Sequence, residues 1–334
     1  MFAARLRRLA AIAVLGLGSI HASAQNYGIT TFSVPGSSDV LLWDINNRDQ
    51  VVGWAQFGTE EAGFTIQPFL LDARTLATTP FAGPSGSLGT YRMGISDAGV
   101  LVGSYTVSIE RDPATGFLDR VDQAFIYDGT SFTTLQVPGA TLAEARGISP
   151  DGRYVSGRFG NADTSTSGIF VYDRIEDAYV LTRPVSGVVN AANSSGILVG
   201  NDLVFDETTR PAFRYDIGSG TFSDYAAPDG EFISPRAISD DGVIAGWLLR
   251  GEATAGFVDH GDRIDYITVD GASSVVLAGI NDARWVVGSA TIDGVGTGII
   301  AMPLAPPVPE PNTYALLALG LGVVFLKARR ASPQ

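Results

Sequence analysis

The chain of 334 residues contains no cysteine. This absence excludes thiol nucleophiles, thiolate zinc sites, iron–sulfur clusters and disulfide bonds, so burial alone must hold the fold together. Histidine is almost as scarce: His21 lies in an N-terminal segment that we expect to be removed, which leaves His260. The stretch VDHGDR around His260 is typical of a turn, and we expect a surface histidine there. A Ser-His-Asp triad and a multi-histidine zinc site are therefore disfavoured.

Positive charge is the next deficiency. The only lysine is Lys327, and residues 25–326 hold 35 acidic against 16 basic side chains, a net charge of −19. Such a surface repels nucleic acid and anionic lipid, so we expect no nucleic-acid partner. We expect this charge to keep the domain soluble; the alternative is that it attracts divalent cations or a cationic partner. Forty glycines and seventeen prolines without a collagen period predict many turns and an all-β chain.

The N-terminal segment has the three parts of a secretory signal peptide. A basic start (Arg5, Arg7, Arg8) is followed by an apolar run over residues 9–20 and by the small residues Ala22-Ser23-Ala24. The apolar run is too short to span a bilayer of about 30 Å. We predict that residues 1–24 are a signal peptide cleaved after Ala24, and that the mature, exported chain begins at Gln25.

The C-terminal segment, residues 305–334, also has three parts: a proline-rich linker, an apolar run from Thr313 to Leu326, and a basic end. Length alone would favour a buried core helix, but the linker detaches the run from the domain, so we predict a single hydrophobic helix that reaches the membrane. The tail resembles the PEP-CTERM sorting signal of Gram-negative bacteria. The residues that carry the likeness are Val308, Pro309, Glu310, Pro311, Lys327, Arg329 and Arg330. The resemblance implies recognition by an exosortase-type membrane protease, removal of the tail, and delivery to the cell surface or an exopolysaccharide matrix.

Between these ends, one phrase recurs six times. Its copies are DINNRDQVVG, GISDAGVLVG, GISPDGRYVSG, AANSSGILVG, AISDDGVIAG and GINDARWVVG, and their final glycines are residues 53, 103, 157, 200, 246 and 288. A period of about 40 to 50 residues with strand-like content is typical of propeller blades. In the second repeat we predict strands over 92–96, 100–105, 124–127 and 132–137. The phrases also resemble the HAF-type extracellular repeats of bacterial surface proteins, over residues 44–302; this likeness concerns architecture more than activity.

The last repeat lacks a fourth strand, and the mature N-terminus supplies one. YGITTFSVPG, from Tyr27, matches SFTTLQVPG, from Ser131. We therefore predict that Tyr27–Val34 pairs beside Gly298–Met302, and that residues 25–304 form a six-bladed β-propeller closed by its N-terminal strand. The alternative is an open β-solenoid with a capping strand at each end.

Two positions of the phrase point to different roles. The residue after the apolar position is always Ser or Asn, which predicts side-chain bonding to the turn backbone. Its six members are Asn46, Ser96, Ser149, Asn193, Ser239 and Asn281. A second position nearby is variable, with Trp43, Met93, Arg146, Asn190, Arg236 and Ala278, and Arg92 adjoins it.

We expect five residues near this variable position to form a binding site at one mouth of the central channel: Trp43, Arg92, Arg146, Asn190 and Arg236. The alternative is that they are ordinary strand residues. Arg146 and Arg236 suit a carboxylate or sulfate group of an acidic sugar.

No cofactor is indicated by the sequence. Calcium could use the oxygen-rich segments Asp44–Gln50 and Ser239–Gly242, but neither has the spacing of a dedicated calcium loop, and Asp and Asn are equally expected in turns. Carboxylates are too frequent for the sequence to nominate a catalytic pair.

These observations favour an exported, surface- or matrix-sorted propeller that is not an enzyme and acts as a binding or structural module. Its expected partners are the exosortase and either exopolysaccharide or surface proteins. The alternative is a carbohydrate-active enzyme, hydrolase or lyase, with its site at the channel mouth. A third possibility is a domain that only fills and cross-links the matrix.

Overall fold

The computed structural model describes residues 26–59, 63–111, 118–161, 164, 166–183, 187–202, 212–228, 232–251 and 253–304. Within these ranges the chain forms 24 β-strands and no helix, which confirms the all-β prediction. The described part therefore contains no helix that could cross a membrane. The predicted signal peptide, residues 1–24, and the predicted sorting segment with its helix, residues 305–334, lie outside the described residues.

The first twelve strands are β1 (Tyr27–Phe32), β2 (Asp39–Ile45), β3 (Gln50–Thr59), β4 (Gly63–Asp72), β5 (Thr78–Pro80), β6 (Thr90–Ile95), β7 (Leu101–Arg111), β8 (Leu118–Tyr127), β9 (Phe132–Leu135), β10 (Leu142–Ile148), β11 (Tyr154–Asn161) and β12 (Thr166–Asp173). The remaining twelve are β13 (Ala178–Arg183), β14 (Gly187–Ala192), β15 (Ile197–Asp202), β16 (Ala212–Asp216), β17 (Thr221–Tyr225), β18 (Ile233–Ile238), β19 (Ile244–Arg250), β20 (Ala253–Asp259), β21 (Ile264–Ile267), β22 (Ala272–Ile280), β23 (Val286–Ile292) and β24 (Val295–Pro303).

The strands pair into antiparallel units of four, which gives a propeller-like arrangement; three units are separate sheets, and the other three are joined by single parallel bridges, Asp39 to Gly296 and Thr254 to Ser274. Five units follow the chain, from β2–β5 through β18–β21, and the sixth consists of β22, β23, β24 and β1. In that unit Tyr27 lies opposite Pro303 and Phe32 opposite Gly298, so the predicted pairing of the N-terminal strand with β24 is confirmed. The strand ends two residues earlier than predicted because the chain turns there, with the Ser37 amide bonded to the Val34 carbonyl at 3.0 Å.

The second repeat differs from the prediction in strand length. Its two middle strands, β7 and β8, continue well beyond the predicted residues 100–105 and 124–127 and pair along nearly their whole length. In β7 the alternation of apolar and polar residues continues past the predicted end through Val107 and Ile109, so the local pattern does not terminate this strand; the added part of β8 does not alternate and is held by its pairing with β7. β3 and β4 form a similarly long hairpin in the neighbouring unit.

The core lies between neighbouring units and is built on a pairing of glycine with an aromatic ring. In five units the final glycine of the phrase lies opposite a phenylalanine of the third strand, as Gly157 lies opposite Phe170. Phe125, Phe170 and Phe257 are fully buried, and each contributes roughly 2 to 3 kcal/mol of transfer free energy. A Cβ atom on Gly157 would overlap the backbone carbonyl of Glu144 on the inner strand. The predicted close backbone approach is therefore present.

The invariant Ser or Asn organises the turn inside each phrase, as predicted. Its side-chain oxygen accepts a hydrogen bond from a backbone amide four or five residues later; examples are Trp285 to Asn281 at 2.9 Å and Val100 to Ser96 at 3.1 Å. The other four members make the equivalent bond. The prediction of side-chain bonding to the turn is confirmed at all six positions.

The same turns join each unit to the next. Asn46 donates to the Ser96 carbonyl at 2.9 Å, Asn193 donates to that of Ser239 at 3.1 Å, and Asn281 donates to that of Asn46 at 3.2 Å. The other three junctions are bonded through the residues that follow: Asp97 to Pro150, Asp151 to Ser194, and Asp240 to Asp282. Hydrogen bonds thus connect the six turns in one continuous circle, in which the sixth turn is bonded to the first.

Candidate functional site

A β-bulge interrupts the innermost strand of every unit at the variable position of the phrase. The pairing skips one residue between Leu42 and Asp44, and the same skip occurs in four other inner strands. The bulged residues are Trp43, Arg146, Asn190, Arg236 and Ala278. A bulge leaves its residue out of the ladder and re-aims its side chain, which is why bulges are common beside functional sites. The final glycine of each phrase lies opposite the residue that precedes the bulge. Because this glycine has no side chain, the backbone of the bulged strand has room to approach it closely.

The second unit departs from this pattern, because its bulge holds two residues, Arg92 and Met93. Met93 is 1% exposed and packs in the core, whereas Arg92 lines the cavity described below and has a φ of 51°. Of the two, Arg92 therefore takes the channel position that the alignment of phrases gave to Met93. A left-handed backbone at a non-glycine residue costs of the order of 1 kcal/mol and is seen where the surroundings fix a side chain.

The inner strands of all six units enclose one cavity, which we call the axial cavity. The five predicted site residues (Trp43, Arg92, Arg146, Asn190, Arg236) all line it, together with Ala278 from the sixth unit. Its volume is about 50 Å³. The structure thus brings together side chains that lie nearly 200 residues apart in the chain.

Three arginines share a single carboxylate beside this cavity. Glu144, two residues before Arg146 on β10, is 3% exposed and pairs with Arg92 at 3.2 Å, with Arg146 at 3.0 Å and with Arg158. Burial raises the pKa of Glu144, but the three guanidinium groups outweigh it and lower the pKa to about 2. This carboxylate is therefore ionised at neutral pH and fixes the arginines in place.

Arg236 has no carboxylate partner among the described residues. Its one hydrogen bond there is to the neutral Oδ1 atom of Asn190, at 3.3 Å. Asn190 is itself held by donating to the Pro235 carbonyl at 2.8 Å. Burial, with repulsion from Arg92 second, lowers the pKa of Arg236 to about 10. The same two causes, burial first, lower the pKa of Arg146 to about 9, against the opposing attraction of Glu144.

The result is an excess of positive charge in an acidic protein. Arg92, Arg146 and Arg158 surround one carboxylate, Glu144, and Arg236 adds a fourth guanidinium group without one, so these five side chains carry a formal charge of +3. The Arg92 guanidinium also lies 5.7 Å from the ring centre of Trp43. Chemically, the arrangement suits an anion held by charge-assisted hydrogen bonds beside an aromatic face.

Asp44 is a half-buried carboxyl group that lines the axial cavity itself. Its two oxygens accept the backbone amides of Ile45 at 2.9 Å and Ile95 at 3.0 Å, which joins the first unit to the second. Burial outweighs these bonds and, with a smaller contribution from Asp97, raises its pKa to about 7. Asp44 therefore keeps its proton up to about neutral pH, unlike Glu144.

The segments weighed for calcium have their oxygens engaged within the protein. Asn46 accepts the amides of Arg48 and Gln50, and Asp241 is paired with Arg284 and Ser239. Across the part of the chain that the structure describes, no group of three or more acidic or histidine side chains is arranged to hold a metal ion. Calcium at these segments thus has no preformed ligand set.

His260 lies in the predicted turn, between β20 and β21, but it is not a free surface residue. Its side chain is only 12% exposed and its Nε2 atom lies 3.0 Å from Asp265 Oδ2. The expectation of a surface histidine was wrong because the side chain of Asp265, on β21, contacts the imidazole ring and covers it. Asn26, near the N-terminus, also donates to Asp265, at 2.9 Å, which places His260 at the outer edge and away from the axial cavity.

Sequence reasoning missed Glu144, Arg158 and Asp44. A signal for Glu144 was present, since an acidic residue in an otherwise apolar strand is rarely buried without a partner, and alternate residues of a strand share a face. Glu144 and Arg146 are such alternate residues. Asp44 and Arg158 had no comparable signal.

Comparison with known proteins identifies the tail and the fold. The family model of the PEP-CTERM protein-sorting motif matches residues 307–331, which confirms the predicted sorting motif. The motif implies an exported protein that is sorted to the cell surface and processed by an exosortase. No curated protein matches the chain. The similarity to HAF-type repeats stays a prediction.

Several solved structures have a similar fold. Trypanosoma rangeli sialidase is 10% identical with a TM-score of 0.52, over 82% of this chain and 59% of the sialidase. The β-propeller domain of the Trilobed protease from Pyrococcus furiosus is 12% identical with a TM-score of 0.46, over 81% and 84%. TolB from Acinetobacter baumannii is 14% identical with a TM-score of 0.45, over 81% and 65%. At these identities the similarity concerns the propeller-like fold alone.

Proposed function

We propose that this exported protein is a closed six-bladed β-propeller and a non-catalytic binding module for an acidic exopolysaccharide. The observation that carries the proposal is the meeting of Arg92, Arg146 and Arg236 at one axial cavity, with one shared carboxylate and one neutral amide as partners. The sorting motif supports a location where such a polymer would be met.

The circle of turn hydrogen bonds and the pairing of β1 with β24 support the closed, six-bladed form. An open solenoid would have no reason to bond its sixth turn to its first, as Asn281 is bonded to Asn46. Closure leaves few unpaired sheet edges, which suits a protein that works outside the cell without disulfides.

The ring of bulges supports a binding role. An invariant turn residue and an invariant glycine fix each inner strand, while the bulged residue differs in size and charge from unit to unit. A rigid scaffold that presents variable side chains at one place is the usual construction of a binding site. Purely structural filling of a matrix does not require three arginines turned toward one cavity.

The test is a binding measurement with the exported, processed protein. Alginate and chondroitin sulfate serve as acidic polymers and dextran as a neutral one, with a pull-down followed by calorimetry. We expect binding to the acidic polymers, weakened at least tenfold by Arg146→Gln and unchanged by Arg250→Gln, whose side chain stacks on Tyr266 away from the cavity. Equal binding of dextran, or no binding of any polymer, would reject the proposal. If the pull-down recovers a surface protein and no polymer, the ligand of the binding module is a protein and the polysaccharide proposal is rejected.

A second candidate function, a carbohydrate-active hydrolase or lyase, is favoured by Asp44. A carboxyl group with a pKa of about 7 keeps a proton near neutral pH, as a general acid needs, and Asp97 lines the same cavity. This candidate predicts new reducing ends, or unsaturated sugar ends from a lyase, when the protein is incubated with acidic polymers. The activity should disappear in Asp44→Asn. Absence of both products would leave the binding module.

A further inference from the structure

The axial cavity has room for one charged group but not for a sugar ring. A water molecule needs about 10 to 15 Å³ of space measured in this way, so about 50 Å³ holds roughly three to five waters. A single carboxylate or sulfate group is of that size. The polymer backbone would have to remain outside, with only a substituent entering between the arginines.

Two buried donors at the cavity have no acceptor in the structure. The Nε atom of Arg146 and the Nε1 atom of Trp43 are both buried without a hydrogen-bond partner. Buried polar groups are nearly always satisfied, and an orphaned donor is destabilising. Both residues line the axial cavity, but these two nitrogen atoms have almost no accessible surface and lie within its wall, so an anion in the open space must be held by other guanidinium N–H groups.

The charges single out one arginine as the principal anion ligand. Arg92 and Arg146 already share Glu144, whereas Arg236 has only the neutral oxygen of Asn190, at the long distance of 3.3 Å. Arg236 is half-buried, and a partly desolvated guanidinium group without an anion is stabilised when a partner arrives from solution. Ala278, the small residue of the sixth bulge, leaves space on that side of the cavity.

We propose that the axial cavity is a subsite for a single oxyanion, a carboxylate or sulfate carried as a substituent of a sugar, in which Arg236 is the principal ligand and Arg92 and Arg146 add positive charge. This inference rests on the proposed function and adds the size and charge of the group that is recognised. It predicts that the isolated anion binds without the polymer.

The experiment follows thermal unfolding of the full exported protein against inorganic sulfate, with chloride at matched ionic strength. Because sulfate stabilises most proteins by exclusion from their surface, the comparison uses three proteins: wild type, Arg236→Gln and the control Arg250→Gln. We expect a saturable rise in Tm for wild type and control, and only the shallow, unsaturable rise for Arg236→Gln. Sulfate responses that are the same in all three proteins would overturn the proposal.

Further measurements identify the group and separate this inference from the proposed function. Calorimetry with glucuronate, galactose 6-sulfate and glucose distinguishes a carboxylate from a sulfate, and glucose should not bind. We expect Arg236→Gln to weaken the preferred sugar about 10- to 100-fold, and Arg236→Lys to recover part of the loss. If acidic polymers still bind Arg236→Gln with wild-type affinity, the subsite is wrong but the binding module stands. If sulfate binds and no acidic polymer does, the subsite stands and the proposed function fails.

Discussion

The uncompensated charge of Arg236 should make the ligand-free protein less stable than it could be. Burial and repulsion from Arg92 lower the pKa of Arg236 to about 10, well below the ordinary arginine value. At about 1.36 kcal/mol for each unit of pKa, keeping this group charged in the folded state costs roughly 3 kcal/mol. Arg236→Met removes the charge while retaining an unbranched apolar side chain. The variant also loses the hydrogen bond to Asn190, which reduces the gain in stability by about 1 kcal/mol.

We therefore expect Arg236→Met to raise the free energy of unfolding by roughly 2 kcal/mol, which for a domain of this size is about 4 °C in Tm. The gain should be constant across neutral pH. A base with a depressed folded-state pKa is charged in both states below that pKa, so the penalty is relieved only above about pH 10. The same variant should lose the sulfate-dependent rise in Tm. Arg236→Met would then be more stable than wild type but unable to bind the anion.

The assay is differential scanning calorimetry in chloride and in sulfate, with Arg250→Met as the matched control. Arg250 lies on an exposed strand end over the ring of Tyr266, so its replacement should change Tm little and leave the sulfate response intact. An Arg236→Met protein that is less stable than wild type in chloride would refute the reasoning, because it would show that Arg236 is already compensated within the fold.

Three further predictions follow from other residues. In urea unfolding, the free energy of unfolding of Asp44→Asn should gain on that of wild type by at most about 4 kcal/mol between about pH 4 and about pH 8, since the raised pKa of Asp44 makes wild type lose stability as pH rises to about 7. This gain is added to a pH-independent cost of about 1 to 3 kcal/mol, because asparagine can accept only one of the two backbone amides of Ile45 and Ile95. Asn281→Ser should cost about 1 kcal/mol and Asn281→Ala roughly twice that, because serine keeps the bond from the Trp285 amide but not the bond to the Asn46 carbonyl. Deleting the β1 strand, Tyr27–Phe32, should abolish cooperative unfolding, and a synthetic peptide of that sequence should restore it.

Each of these outcomes can fail in an informative way. A pH-independent difference between wild type and Asp44→Asn would mean that Asp44 is ionised in the folded protein. Equal stability of Asn281→Ser and wild type would show that the bond between the sixth and first turns contributes nothing. A deleted protein that still unfolds cooperatively would show that β1 is not needed to complete the last unit.

The local design of the fold could be predicted from the sequence because it repeats. Six copies of one phrase identify the hairpin, and the Ser or Asn at its bend, such as Asn281, bonds its own turn whatever surrounds it. The glycine that ends each phrase, such as Gly157, is explained by one close approach that recurs in every unit. The N-terminal strand was recognisable because its sequence matches the strand that the last repeat lacks. Such signals are local, or compare one part of the chain with another.

The meeting of the variable residues at one cavity could be predicted from the sequence, whereas their electrostatics could not. The variable position of the phrase led to Trp43, Arg146, Asn190 and Arg236, and the structure places all four at one cavity. Arg92, which adjoins that position in the second repeat, was also among the predicted residues, but the two-residue bulge that turns Met93 into the core could be located only once the pairing partner was known. The sequence also could not show that three arginines share Glu144, whereas Arg236 has only the side-chain amide of Asn190 as a partner.

The difference between the features that the sequence predicts and those that it does not has a physical cause. Turn chemistry, strand periodicity and the sorting tail depend on residues close together in the chain, so the amino-acid sequence by itself determined them. Charge compensation depends on distances between residues from different units and on how much water each retains. Asp44 and Glu144 are both acidic residues of inner strands, yet one has a pKa of about 7 and the other of about 2. Only the tertiary structure decided that difference, because it alone sets which guanidinium groups reach a buried carboxylate.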